Sequence, residues 1–143
     1  MNISPENFHL TILFLGDISC KSYDHLVIRL RNIHEQSFCV TLDRIGFFGK
    51  RALLWVGPAK IPSELKKLYI NTRKCAQECG ISDLSKQYMP HVSLLKNLKY
   101  PILSPDLSSI KWELREFHLV ESRPDGDRVS YCILESFLLR NLV

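Results

Sequence analysis

Two stretches carry a helical period, residues 22–36 and Ser63–Cys79, and the apolar runs around them read as short strands. In the first, Leu26, Leu30 and Ile33 fall on one face, with Ser22 or Asp24 as cap. In the second, Leu65, Leu68, Ile70, Cys75, Ala76 and Cys79 recur before Gly80, a C-cap. The run 8–15 predicts a buried strand closed by the turn Gly16-Asp17, and 38–48 with 52–57 predicts a hairpin about Gly49-Lys50-Arg51. Strands are expected at 89–95, 111–122 and 128–139, the last two separated by the turn Pro124-Asp125-Gly126. The order βαββαβββ implies an α+β fold with mostly antiparallel strands. At 143 residues and 45% hydrophobic, the chain is expected to form a single domain over 1–143, with Pro101 and Pro105 in a loop rather than a linker.

Nineteen Lys plus Arg against fifteen Asp plus Glu give a net charge of +4. That balance permits an anionic partner and argues against a polybasic binding protein. The longest apolar run is far too short to span a bilayer, so no membrane partner is expected. Five scattered cysteines with no secretory leader before them lead us to expect free thiols in a reducing cytoplasm. Cys75 and Cys79 would share a helix face, but no nearby histidine or second cysteine pair completes four ligands, so no metal is expected.

The feature that carries chemistry is a pair. His9 stands two residues before Thr11 in "FHLTILFLG", and His91 stands two before Ser93 in "PHVSLLKN", 82 residues on. On a strand, residues two apart share a face, so each motif offers an imidazole and a hydroxyl together. Brought together across a groove, two imidazoles leave room for one phosphate. One, neutral, takes a proton from water; the other, protonated, gives one to a leaving oxygen; and histidine titrates near enough to neutrality for both roles. His25, His34 and His118 lack this context and are expected in solvent or core roles.

These residues give the chain its resemblance to a family. "NFHLTILFLGDI" (7–18) with "MPHVSLLKN" (89–97), and the flanking "IGFFGKRALLWVGP" (45–58) and "LVESRPDGDRVSYCILESFLL" (119–139), resemble the two-histidine phosphoesterases. Within them the match is to the RNA 2′,3′-cyclic phosphodiesterases, also called 2′-5′ RNA ligases. The resemblance implies a two-lobed, pseudo-duplicated fold about a central cleft, here lacking the usual first strand and helix. It also implies no cofactor, RNA ends or cyclic nucleotides as partners, and metal-independent opening of the cyclic phosphate to a 2′-phosphomonoester, with 2′-5′ ligation as the reverse reaction. His9 and His91 become the catalytic pair, His9 protonating the departing 3′ oxygen and His91 activating water. Thr11 and Ser93 become the partners of the phosphate oxygens.

Family members usually carry arginine five residues after the second histidine. This chain has Lys96, which keeps the charge without the bidentate fork and has the wrong strand parity relative to His91 unless the strand bulges or ends. Phe48 is a candidate for stacking on a base. The shortened start suggests an open sheet edge beside residues 8–16 and hence a homodimer through that edge. The alternative function is a binding module for RNA ends or nucleotides, with turnover lost through the short first lobe.

Overall fold

The computed structural model describes residues 3–82, 84, 87–100 and 108–141. Its elements are α1 (Cys20–Arg31), β1 (Phe38–Leu42), β2 (Arg44–Phe48), β3 (Leu53–Gly57), α2 (Ser63–Glu78), β4 (Val92–Leu95), β5 (Ile110–Leu114), β6 (Glu116–Asp125) and β7 (Arg128–Leu138). The fold is α+β. The strands form three sheets, ordered β2-β3-β4, β1-β5 and β6-β7, and the ladders β2-β3, β3-β4 and β6-β7 are antiparallel. The loop expected about Pro101 and Pro105 lies outside the described residues.

The chain divides into two compact units. The first, the histidine unit, comprises Met1–Thr11, Cys39–Ile61 and Met89–Trp112. It holds the β2-β3-β4 sheet, whose central strand β3 is buried along its whole length. The second, the helical unit, comprises Ile12–Phe38, Pro62–Tyr88 and Glu113–Val143.

In the helical unit, α1 and α2 pack together, burying Leu26, Val27 and Leu30 from one and Leu65, Leu68, Thr72 and Ala76 from the other. The helix ends are tied as well: Ser22 Oγ donates to the Cys79 carbonyl at 3.1 Å, and Arg29 pairs with Glu78. Burial, and then the Glu78 charge, push the Cys75 thiol above its ordinary range. The long β6-β7 hairpin turns at Gly126-Asp127, with Gly126 at φ 60° as a tight two-residue reversal requires.

Several expectations need correction. Helix α1 starts earlier and stops sooner than 22–36. Ser19 is its cap, accepting from the Ser22 N–H at 3.1 Å, and Ile33 lies beyond its end. The run 38–48 is two strands rather than one, because Asp43 interrupts it. There the Asp43 N–H donates to the Gly57 carbonyl, while its Oδ1 takes the Ala59 N–H at 2.7 Å. Residues 111–122 are likewise broken at Arg115, and Pro124 and Asp125 belong to β6 rather than to the turn. The run 8–15 is not a named strand. Leu10 makes one antiparallel bridge to Val92, and Ile3 N–H donates to Leu94 O at 3.2 Å. Within 8–15 the backbone pairs as a bridge at Leu10, and a strand needs such pairing along its length.

Candidate active site

The site is a face of the β2-β3-β4 sheet, and the strand register decides which residues stand on it. Directly opposed residues of an antiparallel pair share a face, and alternate residues do too. Gly46 opposes Trp55, Trp55 opposes Ser93, Arg44 opposes Gly57 and Phe48 opposes Leu53. Arg44, Gly46, Phe48, Leu53, Trp55, Gly57 and Ser93 therefore share one face, and His91, two residues before Ser93, joins them. On the far side of β4, the bridge Leu10–Val92 sets the register of the amino-terminal segment. Continued one residue each way, it sets Thr11 opposite His91 and His9 opposite Ser93. All four motif residues thus fall on that face, with the two histidines in diagonal positions about 7–8 Å apart along the backbone.

Both imidazoles are held by the same device. Nδ1 of His9 lies 2.6 Å from the Asn7 carbonyl oxygen, and Nδ1 of His91 lies 2.7 Å from that of Met89, two residues back in each case. A carbonyl only accepts, so each Nδ1 carries the proton and donates it. In the neutral ring, Nε2 is then left as the acceptor. Each histidine is thereby fixed in orientation and in tautomer, which suits a group that must exchange protons through one defined atom.

Their surroundings differ. His9 is exposed, whereas His91 is half-buried against aromatic rings. Phe48 meets it edge-on, with centroids 5.2 Å apart at 84°, and Trp55 stands 6.0 Å away. Trp55, 4% exposed, also packs on Phe48 at 5.2 Å and lies under the Arg44 guanidinium at 5.6 Å. Gly46 is what lets the indole lie flat, since a Cβ there would come within 2.0 Å of Trp55 Cζ2. A Cβ at Gly57 would meet the Pro90 carbonyl at 2.7 Å, so glycine also permits the close approach of the strand that carries His91. Phe48 thus buttresses His91.

The parity problem of Lys96 is resolved by a bulge. Trp55 opposes Ser93, but Leu54 opposes Leu95, which leaves Leu94 as the extra residue. Leu95 then shares the face of Leu54, and Lys96, next along and exposed, comes round to the face of Ser93 and His91. The sequence motifs named His9, Thr11, His91 and Ser93 as candidates. They missed the two carbonyl anchors, which belong to the main chain and leave no residue signal. They also missed the Trp55 platform, whose signal was the glycine pair Gly46 and Gly57 flanking its hairpin. Among the described residues, no cluster of three or more His, Cys, Asp or Glu is arranged to hold a metal ion.

Known proteins resemble this chain in sequence and in fold. The family described as LigT like Phosphoesterase matches residues 2–55. The RNA 2′,3′-cyclic phosphodiesterase of Escherichia coli is 27% identical over 139 residues, covering 96% of this chain and 78% of that protein. The enzyme of the same name from Aeropyrum pernix is 27% identical over 97 residues, 66% of this chain and 55% of its own length. Among solved structures, E. coli LigT in its apo form superposes with a TM-score of 0.87 at 26% identity, covering 97% of this chain and 80% of that one. Over nearly its whole length the chain is thus similar to RNA 2′,3′-cyclic phosphodiesterases, and over residues 2–55 to the LigT-like phosphoesterases.

Proposed function

We propose that the protein hydrolyses 2′,3′-cyclic phosphate ends of RNA to 2′-phosphomonoesters. The observation that carries this reading is the pair of imidazoles anchored alike through Nδ1 and brought by the strand register to one face with two hydroxyls. Five relatives bear the name RNA 2′,3′-cyclic phosphodiesterase, which supports the same reading. So does the crystallisation of E. coli LigT with 3′-AMP, NADP+ and ATP, all nucleotides.

In the mechanism, Nε2 of His91 takes a proton from water as its oxygen attacks phosphorus. The bond from phosphorus to O3′ breaks, and Nε2 of His9, protonated, gives its proton to O3′. Thr11 and Ser93 donate hydrogen bonds to the nonbridging oxygens, and the Lys96 ammonium offsets the charge gathering there. The product is a 2′-phosphomonoester with a free 3′-hydroxyl. One proton has passed from water to His91 and one from His9 to O3′, so the histidines have exchanged states and must re-equilibrate before the next turnover. With a 5′-hydroxyl in place of water as the nucleophile, the same step makes a 2′-5′ linkage and frees the 3′-hydroxyl. The cytoplasm is the compartment we assign. A homodimer through the edge of residues 8–16 belongs to the proposal, motivated by the exposed Phe14 beside that edge. Sedimentation at micromolar concentration tests it, and a clean monomer removes it.

The deciding experiment is an assay on a 2′,3′-cyclic nucleotide with chelator present, with the product identified. Turnover to the 2′-phosphate is expected. Tight binding without turnover would favour the nucleotide-binding module, and a requirement for added divalent metal would overturn the mechanism.

A further inference from the structure

Formal charge is spread unevenly over the chain. The histidine unit holds seven Lys or Arg against three Asp or Glu and so carries the whole net charge of +4, while the helical unit balances twelve against twelve. Within the histidine unit, cations gather at one end of the sheet. The 3-10 turn Gly49–Arg51 between β2 and β3 supplies Lys50 and Arg51, and the segment after β4 supplies Lys96 and Lys99. Two residues in left-handed conformation turn the chain here, Ala52 at φ 47° and Asn97 at φ 59°. The Leu98 N–H donates to Ala52 O at 3.1 Å and ties the two segments together. Lys50, Arg51 and Lys99 are exposed, and Tyr100, next to Lys99, is 78% exposed. Of the acids described in this unit, Asp43 lies at the opposite end of the sheet and Glu6 in the 3-10 turn before His9.

The spacing along the sheet matters. His91 falls in the row of Gly57 and Lys96 in the row of Leu53, four residues along β3. At about 3.3 Å per residue that is roughly 13 Å, too far for one phosphate to touch both the histidines and the cations beyond Lys96. Those cations therefore suit other phosphates of a longer strand. We propose that Lys50, Arg51 and Lys99 form a track for the phosphodiester backbone of the single RNA strand that leads to the reacting end, with the Tyr100 ring offered to one of its bases. This rests on the hydrolase reading above and adds to it the residues that hold the strand upstream of the reacting end. Flexible lysines and a single aromatic grip backbone and stack without reading sequence, so the track is indifferent to which bases precede the end.

The test compares the wild type with the triple variant Lys50→Gln, Arg51→Gln, Lys99→Gln. The substrates are a 2′,3′-cyclic mononucleotide and a single-stranded RNA of about ten nucleotides ending in a cyclic phosphate, with salt varied between about 50 and 200 mM. The wild type is expected to prefer the oligonucleotide. The variant should lose about tenfold or more in kcat/KM on the oligonucleotide and stay within about twofold on the mononucleotide. Its log-log salt slope should be shallower by about 2, as removal of three phosphate contacts to a single strand implies. Equal losses on both substrates, or no loss on either, would overturn the track while leaving the hydrolase reading in place. If the wild type turns over neither substrate, the hydrolase reading fails. The track is then judged by fluorescence anisotropy with the same RNA, where an unchanged salt slope in the variant overturns it. A polyglutamate peptide that binds as tightly as the RNA would also overturn the assignment to RNA.

Discussion

Charged side chains do different work in the two units. In the helical unit they meet one another: Arg31 reaches Glu135 at 3.2 Å, Arg115 meets Glu113 and Arg123 meets Glu121, both at 2.9 Å, and His118 stands 3.6 Å from Glu116. The carboxyls of Glu113 and Glu121 are held below their ordinary range, in each case chiefly by the hydrogen bond from the neighbouring arginine. In the histidine unit, Arg44 covers an indole, and Nδ1 of each candidate histidine is held by a carbonyl oxygen. His118 makes the contrast plain. It too has a hydroxyl at hydrogen-bond distance, Ser136 Oγ at 2.9 Å from its Nδ1, but a carboxylate stands at its Nε2. In His118 both ring nitrogens face side-chain partners, whereas Nδ1 of His9 and of His91 is held by a main-chain carbonyl two residues back.

The largest expected effect follows directly. His9→Ala and His91→Ala should each lower kcat on a 2′,3′-cyclic nucleotide by about 10²–10⁴-fold with the circular dichroism unchanged, the range that positioned acid-base groups supply. His118→Ala should leave the rate within about twofold, and an equal loss there would break the contrast. Next, Thr11→Ala and Ser93→Ala should each cost about 10- to 100-fold, as loss of a hydrogen bond to a charged group implies, and steady-state kinetics checks it. In stability, Gly46→Ala should cost about 1–3 kcal/mol in denaturant unfolding, because its Cβ would overlap the Trp55 ring. At Gly49 an added Cβ meets nothing within 4 Å, so Gly49→Ala serves as the control.

The smallest effect lies in the helical unit. Tyr88 stacks on Tyr69 with centroids 4.5 Å apart, and burial pushes its phenol above the ordinary 10.0. A raised acid binds its proton longer folded than unfolded. Its contribution is therefore fully present below pH 10.0 and is lost as pH climbs from there toward the raised value. Alkaline unfolding of Tyr88→Phe should lack that component, and an unchanged alkaline slope would contradict it.

Where the sequence was legible, a local signal agreed with the tertiary result. The uninterrupted apolar period of α2 and the stop at Gly80, here at φ 79°, put its expected end within a residue of Glu78. The H-x-T/S pair named His9, Thr11, His91 and Ser93 as candidates, and the Leu10–Val92 bridge sets their two segments side by side. Misreadings arose where the outcome depended on partners that sequence does not display. Strand propensity in 8–15 could not say that only Leu10 would find a bridge, and the alternation through 38–48 hid the break that Asp43 makes by bonding to Gly57 and Ala59. Lys96 was a conditional case: its parity against His91 hung on a bulge, and one extra residue at Leu94 supplies it.

The central claim is that two imidazoles divide one proton exchange between them, one neutral and one charged. The pH profile of kcat/KM on a 2′,3′-cyclic nucleotide, with chelator present, tests it most directly. The wild type should give a bell whose two limbs belong to the coupled pair, and each single alanine variant should lose one limb as well as rate. A profile with a single limb in the wild type, or an unaltered bell in either variant, would contradict the account.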